Sequence, residues 1–381
     1  MSIAQLLEDK RICVCAGSGG VGKTTTSAAV ALGMAARGAK VAVVTIDPAQ
    51  RLANALGVEE LPNDPHRIEP ERLAAGGLAI EGELWAMMLD PKRTFDELIE
   101  RIAPEPARAE EIKANRVYRE LSTAVSGSQE FTAVAKLYDL DQAHEFDLLV
   151  LDTPPSRNAL DFLEAPQRLS AFLEGSSLKA FVRPTGIGLR VLGRSATPLL
   201  SALRRVLGVD LLSDVGRFFQ LLGGMTRDFN ERATQVEMLL RADTTAFVLV
   251  TSAEREPIDE AIWFHRTLEQ GGLPFAGVIV NRVHHDLLNG SEPDDVRPAL
   301  RRSLGADLAA RVAQNFDDYH VLARRDDRNV ERLAHALGEE PLLLVPQLEQ
   351  DVHDLEGLVQ MQRYLFASDA EREQLLADLV A

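Results

Sequence analysis

A glycine-rich segment near the start of the chain has the residue types and spacing needed to hold phosphate groups. Residues 17–24 read Gly-Ser-Gly-Gly-Val-Gly-Lys-Thr, which fits the pattern G-x-x-x-x-G-K-[ST]. Glycines let the backbone direct its N–H groups at phosphate oxygens, and a following helix presents its positive N-terminal end to the same anion. We expect Lys23 to reach the β and γ phosphates of a nucleotide and the hydroxyl of Thr24 to bind Mg²⁺. The segment therefore predicts a site for a nucleoside triphosphate with Mg²⁺.

Several residues of this loop are expected to touch the nucleotide. They are Gly19, Gly20, Val21, Gly22, Lys23, Thr24 and Thr25. Two aspartates, Asp47 and Asp152, directly follow apolar runs further along the chain. Phosphoryl transfer needs an aligned water molecule and neutralised phosphate charge, and a carboxylate at a strand end suits either task. Each aspartate could instead cap a turn, because Asp-Pro-Ala and Asp-Thr-Pro-Pro are also typical turn sequences.

Short apolar runs with helical patterns between them must position these residues. The runs are Ile12 to Ala16, Val41 to Ile46, Leu148 to Leu151, Phe247 to Val250, Val278 to Val280 and Leu342 to Val345, and residues 83–90 add a further candidate strand. Amphipathic patterns at 26–36 and 259–268 predict helices. Continuous apolar strands that alternate with helices indicate an α/β fold with a mostly parallel, doubly wound sheet, buried on both faces. This is the architecture of the P-loop nucleotide-binding proteins.

Two long stretches interrupt this alternation and show only helical patterns. We therefore predict a nucleotide-binding domain of residues 1–90, 139–165 and 242–381, and a helical insertion subdomain of residues 91–138 and 166–241. The second insertion is rich in large apolar residues, among them Leu199, Leu200, Leu203, Val206, Leu207, Leu211, Leu212, Phe218, Phe219, Leu221 and Leu222. They fit either an ordinary helical core or a groove for an apolar client, and the sequence leaves both open.

Overall composition limits the classes of partner. The chain has 381 residues and a formal net charge of −17, which opposes non-specific attraction to nucleic acids and to anionic lipid surfaces. The two cysteines, Cys13 and Cys15, alternate with apolar residues and are expected to point the same way from one strand into the core. No basic start precedes an apolar segment, and no apolar run is long enough to span a membrane. We predict a cytoplasmic protein without stable membrane insertion and without a nucleic-acid partner.

The motifs resemble those of one family of deviant Walker ATPases. Residues 19–25 match its phosphate loop, and residues 45–50, Thr-Ile-Asp-Pro-Ala-Gln, resemble the first switch of the arsenite-pump ATPases and of the guided-entry ATPases that deliver tail-anchored membrane proteins. Residues 149–155, Leu-Val-Leu-Asp-Thr-Pro-Pro, resemble their second switch. Asn281, after a run of apolar residues, matches their adenine-reading asparagine, and Pro346-Gln347-Leu348 is similar to their late adenine-side loop. The loop sequence and Asp-Thr-Pro-Pro are most similar to the bacterial branch.

This resemblance implies an ATP-hydrolysing dimer that uses ATP and Mg²⁺. By motif position Asp47 would orient the attacking water, and Asp152 would support the Mg²⁺ shell. Asn281, Pro346, Gln347 and Leu348 would contact the adenine.

The chain departs from the family at its defining lysine, which crosses the dimer interface to the partner's phosphates. Ser18 stands at that position and can supply no charge. Arg51 and Arg157 are candidate replacements, or they are ordinary surface arginines. The Cys-x-x-Cys clasp and the metalloid-binding cysteines of relatives are also absent from the sequence. We interpret the adjacent His284 and His285 as loop residues, without a complete metal set.

Two functional hypotheses follow. The first is an ATPase switch, as a homodimer or with a paralogous partner, that presents or hides a surface for a partner or an apolar protein client. The second, which we rank below the first although the serine at position 18 lends it some support, is an ATP-binding scaffold with little turnover that a paralogous partner subunit regulates. A membrane-surface positioning ATPase is disfavoured because residues 369–381 are acidic rather than basic.

Overall fold

A computed structural model describes residues 1–47, 49–116, 118–119, 128–153, 217–218, 220–221, 225–286 and 293–378. The chain divides into two compact units. The first comprises Met1–Met88, Ala143–Ala159 and Arg241–Ala381, and the second comprises Leu89–Gln142 and Leu160–Leu240.

The first unit is built on an eight-stranded sheet in the order β3-β4-β2-β5-β1-β6-β7-β8. The strands are β1 (Ile12–Ala16), β2 (Lys40–Thr45), β3 (His66–Arg67), β4 (Glu83–Met88), β5 (Leu148–Asp152), β6 (Thr245–Ser252), β7 (Phe275–Val283) and β8 (Leu342–Pro346). Every neighbouring pair is parallel except the short edge pair β3–β4. The α/β prediction with a mostly parallel sheet is confirmed.

Helices cover this sheet. In the first unit they are α1 (Ile3–Leu6), α2 (Lys23–Ala35), α3 (Arg51–Ala55), α4 (Pro70–Ala75), α9 (Arg255–Gly271), α10 (Pro293–Leu304), α11 (Ala306–Leu337), α12 (Leu355–Phe366) and α13 (Asp369–Asp378). The described helices of the second unit are α5 (Pro91–Ile102), α6 (Pro106–Ala114), α7 (Ser128–Ala143) and α8 (Thr226–Arg241), and the last two lead back into the first unit. None of the helices among the described residues is long and apolar enough to cross a membrane.

The position of β1 at the centre of the sheet explains its continuous apolar pattern. All five residues of β1 are buried, since it pairs with β5 on one side and β6 on the other. Cys13 and Cys15 point the same way from this strand, as predicted, and their Sγ atoms lie 3.9 Å apart.

The prediction that every strand is buried on both faces is wrong for β8. Leu342 and Leu344 are only half-buried there, because β8 forms an edge of the sheet.

Element boundaries differ from the predictions where polar residues continue a regular element. β7 extends through Asn281 to Val283, beyond the predicted apolar core of the strand. The helix predicted from residue 26 begins at Lys23, because Gly22 adopts the left-handed conformation that allows the chain to turn into it. The two-residue strand β3 was not predicted; it is exposed and antiparallel.

Only part of the second insertion lies within the described residues. Among its large apolar residues, Phe218 is buried and Leu221 is partly buried in a cluster with Ile112 and Tyr118. These two residues therefore belong to an ordinary helical core. The remaining apolar residues named above, and with them the predicted client groove, lie outside the described residues.

Candidate nucleotide site

The phosphate loop connects the C-terminal end of β1 to the first turn of α2. Gly17, Gly20 and Gly22 have φ angles of +151°, +82° and +95°, a region that side chains with a Cβ rarely adopt. A Cβ on Gly17 would lie 2.0 Å from the carbonyl oxygen of Val250 in β6, so the loop begins in backbone contact with the neighbouring strand. The glycines thus permit the turn that the sequence pattern predicted, and they also permit a close packing against β6 that it did not predict.

Lys23 lies inside this loop. Its side chain is buried, and Nζ donates a hydrogen bond to the backbone oxygen of Ser18 at 2.7 Å. Burial lowers the pKa of the ammonium group, and the negative charge of Asp152 partly opposes that shift. The loop therefore holds a cation at the start of α2, where the N–H groups of the helix already favour an anion.

The carboxylate of Asp152 joins the ends of two strands, β5 and β2, to the first turn of α2. Its Oδ2 accepts hydrogen bonds from the hydroxyls of Thr24 in α2 (2.8 Å) and Thr45 at the end of β2 (2.7 Å). Burial raises the pKa of this carboxyl to about 6, against the lowering effect of the two threonines and of Lys23. Its Oδ1 is buried without a hydrogen-bond partner among the described residues. A carboxylate with one spare oxygen beside the Thr24 hydroxyl is the donor chemistry that Mg²⁺ prefers.

The second-switch sequence is anchored immediately after Asp152. Both the hydroxyl and the backbone N–H of Thr153 donate to the carbonyl oxygen of Cys15, at 2.8 Å and 3.3 Å. The start of this switch is therefore fastened to the strand that leads into the phosphate loop. Pro154, Pro155 and Arg157 lie outside the described residues.

Asp47 caps a turn, which is one of the two roles that the sequence left open for this residue. Its Oδ1 accepts from the backbone N–H of Ala49 at 2.9 Å, and its own N–H donates to Thr45 at 3.2 Å. Its Oδ2 lies 3.7 Å from Nε of Arg51, an exposed side chain. The negative charge of Asp47 also offsets part of the lowering of the Lys23 pKa that burial causes. Asp47 therefore caps a turn at the edge of the phosphate loop, near the residues that would hold the nucleotide.

The predicted adenine-side residues meet although they lie far apart in the sequence. Nδ2 of Asn281 donates to the carbonyl oxygen of Val21 at 3.0 Å, and its Oδ1 accepts from the N–H of Arg282. The backbone N–H of Gln347 donates to Val283 at 2.9 Å, which fastens the loop after β8 to the end of β7.

These contacts enclose a small cavity beside the phosphate loop. Six residues that line it were predicted from the sequence: Gly22, Thr25, Asn281, Pro346, Gln347 and Leu348. The cavity measures about 30 Å³, room for a few water-sized groups. Gly19, Gly20 and Val21 lie in the adjoining loop.

Thr45 and Arg282 are site residues that sequence reasoning missed. Thr45 is the last residue of β2, and a hydroxyl two positions before Asp47 was the available signal for it. Arg282 follows Asn281 with a left-handed φ of +60°, which no sequence pattern indicated.

Ser18 lies beside a shallow cavity lined in part by Trp263, whose side chain is 45% exposed. Within the described ranges no group of three or more His, Cys, Asp or Glu side chains could hold a metal ion.

Comparisons with known proteins agree with this geometry. Residues 10–325 match the sequence model of the anion-transporting ATPase family, ArsA_ATPase. The ATPase GET3 of Malassezia globosa is 25% identical over 339 residues, which cover 87% of this chain and 92% of the relative. The ATPase get3 of Schizosaccharomyces pombe is 24% identical over 80% of this chain and 82% of its own. The ATPase GET3C of Arabidopsis thaliana is 25% identical over 78% of this chain and 72% of its own. The chain belongs to the anion-transporting ATPase family, and it is an ATPase.

Proposed function

We propose that this ATPase is a dimeric nucleotide switch that couples ATP binding and hydrolysis to the binding of a partner or an apolar protein client. The helical insertions, residues 91–138 and 166–241, would carry the client surface. The observation that carries the proposal is the shared carboxylate of Asp152, which is bonded to Thr24 and to Thr45. One side chain thus connects the phosphate loop with the ends of β2 and β5.

The proposed chemistry uses the charges and hydroxyls around the loop. Lys23 would leave the Ser18 carbonyl and neutralise the β and γ phosphates of ATP. Thr24 and Asp152 would hold Mg²⁺, which supplies charge neutralisation on the phosphate oxygens. Asp47 would orient water for attack on the γ phosphate after its carboxylate leaves the Ala49 turn. Asn281, Pro346, Gln347 and Leu348 would contact the adenine.

Connectivity supports a link between nucleotide and insertion. Thr153 is fastened to Cys15, and in the sequence the second insertion, residues 166–241, follows Thr153 closely. A rearrangement of the Asp152 hydrogen bonds would therefore act on the part of the chain that precedes this insertion. The resemblance to the guided-entry ATPases supports an apolar protein segment as the client.

A combined measurement tests the proposal. Steady-state phosphate release is measured beside light scattering of the protein with ATP and with ADP. We expect hydrolysis, an ATP-dependent dimer, and nucleotide-dependent retention of a peptide with an apolar helix. Lys23→Ala should abolish all three, because the loop loses its fixed cation. Lys10→Ala is the matched control, since Lys10 is a half-buried lysine outside the phosphate loop whose Nζ donates to the backbone oxygen of Asp243. A monomer with undiminished turnover at high dilution would refute the switch.

Ser18 favours a second candidate, an ATP-binding scaffold with little turnover that a paralogous subunit regulates. A serine brings no charge to a partner's phosphates, so the isolated chain should hydrolyse ATP slowly. Tight ATP binding without measurable phosphate release, and release on addition of a paralogue, would favour the scaffold. The choice between homodimer and heterodimer, the cytoplasmic location and the lack of a nucleic-acid partner remain predictions.

A further inference from the structure

A buried carboxylate outside the nucleotide site has hydrogen-bonding partners at both of its oxygens. Asp326 in α11 has no exposed surface, and a buried charge requires hydrogen-bonding partners. Its Oδ1 accepts from Nε and Nη2 of Arg325, at 2.9 Å and 2.7 Å. Its Oδ2 accepts from the backbone N–H of His284 at 3.0 Å and lies 2.7 Å from the ring Nδ1 of the same residue. Oδ2 of Asp326 therefore binds the segment that follows β7.

Hydrogen bonds to neighbouring elements hold residues 281–284, the segment that ends β7, in place. Asn281 bonds to the phosphate loop, and Val283 accepts from the N–H of Gln347 in the loop after β8. Arg282 between them has a left-handed φ of +60°, which is unfavourable for a residue with a Cβ. Such a backbone persists when its surroundings over-determine it. His284 supplies the last of these restraints, and Asp326 holds it.

α11 is a firm support for this restraint. The ring of Tyr319, about two helical turns before Asp326 on the same face of α11, meets the His284 ring edge-on with centroids 5.3 Å apart. Further along the helix, Nδ2 of Asn329 donates to the carbonyl oxygen of Ala253 at the end of β6, at 2.8 Å. The helix is thus fixed to the ends of two adjacent strands.

We propose that Asp326 is a positioning residue for recognition of the nucleotide base. By fixing His284 it holds the end of β7 so that Asn281 presents its amide to the base cavity. The inference rests on the proposed nucleotide site, and it assigns to α11 a part in base affinity. None of the hydrogen bonds of Asp326 described above reaches a residue of the phosphate loop, so its effect should fall on the base and spare the phosphates.

Tripolyphosphate separates the two effects, since it carries the phosphates of ATP without base or ribose. Dissociation constants of ATP and of tripolyphosphate, each with Mg²⁺, are measured by calorimetry for the wild type and for Asp326→Asn. We expect ATP binding to weaken about 3- to 10-fold, the equivalent of roughly one net hydrogen bond. Tripolyphosphate binding should change less than about twofold. Arg325→Gln is the matched control: it removes the partners of Oδ1, leaves those of Oδ2, and should keep the ratio of the two constants near that of the wild type.

A second variant decides the question if Asp326→Asn fails to fold. His284→Phe keeps an aromatic ring against Tyr319 and removes the ring nitrogen bonded to Asp326, so a smaller loss that is selective for ATP is expected. Equal weakening of ATP and tripolyphosphate, unchanged ATP affinity in a folded variant, or the same selective loss in Arg325→Gln would overturn the inference. A wild-type protein that binds tripolyphosphate as tightly as ATP would also overturn the inference, while leaving the phosphate site intact. Failure of the wild type to bind either compound would remove the proposed function itself.

Discussion

Asp152→Asn tests the electrostatic description of the site through stability alone. In the folded protein burial raises the pKa of Asp152 to about 6, from its ordinary value of 3.8. The folded state therefore holds this proton more tightly than the unfolded state does. The contribution of Asp152 to the free energy of unfolding is fully present below about pH 4 and is lost as the pH rises through about 6.

The size of the effect follows from the displacement of the pKa. About two pKa units correspond to roughly 3 kcal/mol of free energy of unfolding, lost between about pH 4 and pH 7. An asparagine keeps a side-chain oxygen for Thr24 and Thr45 and has no charge to bury. We therefore expect the free energy of unfolding of Asp152→Asn, relative to the wild type, to increase with pH across this interval by up to that amount.

Urea unfolding at several pH values measures this difference. The two tryptophans, Trp85 and Trp263, both lie in the first unit and report its unfolding by fluorescence. Asp351→Asn is the control for loss of a negative charge, since the Asp351 side chain is 80% exposed. Parallel pH profiles for wild type and Asp152→Asn, with unchanged dependence on urea, would refute the reasoning. The other carboxyl groups of the protein affect both proteins alike and cancel in the comparison.

Three further predictions concern the loop and its surroundings. Asp47→Asn should keep the ATP dissociation constant within a few-fold and lower single-turnover hydrolysis by roughly two to four decades, since only water orientation is lost; a joint fall in binding and hydrolysis would make Asp47 structural. Ser18→Lys should raise steady-state turnover by roughly 10- to 1,000-fold, with a dependence on protein concentration, if the dimer closes as in lysine-bearing relatives; no gain would indicate a different interface. Gly17→Ala should lower the unfolding midpoint far more than Gly20→Ala, because both strain a positive φ but only Gly17 would also contact the backbone of β6; equal shifts would contradict the close approach.

The local features of the site could be read from the sequence. The phosphate loop and the positions of Asp47, Asp152 and Asn281 follow from short motifs next to apolar runs, and these runs became strands of one sheet. Such features depend on residues adjacent in the chain, where backbone geometry and burial act over a few positions. For the same reason the central strands were located within a few residues.

The contacts between distant segments could not be read in this way. The bonds of Asp152 to Thr45 and of Asn281 to Val21 depend on strand order, which apolar patterns do not encode. The Asp326–His284 pair joins a helix to a strand end 42 residues earlier in the chain. His284 does lie in a loop, directly after β7, but no pattern in the sequence indicates its buried partner in α11.

The order in which the strands occur along the chain has a consequence for synthesis. The phosphate loop is translated before both strands that flank β1, whereas the base-side loop follows β8, the edge strand that completes the sheet. About 320 residues separate the two sides of the candidate nucleotide pocket, and their translation takes roughly 15 to 65 s at common elongation rates. The phosphate loop itself lacks the strands that flank β1 until β5 and β6 have been made. The predicted helical insertion is translated in between, so it emerges before the base side of the nucleotide site can form.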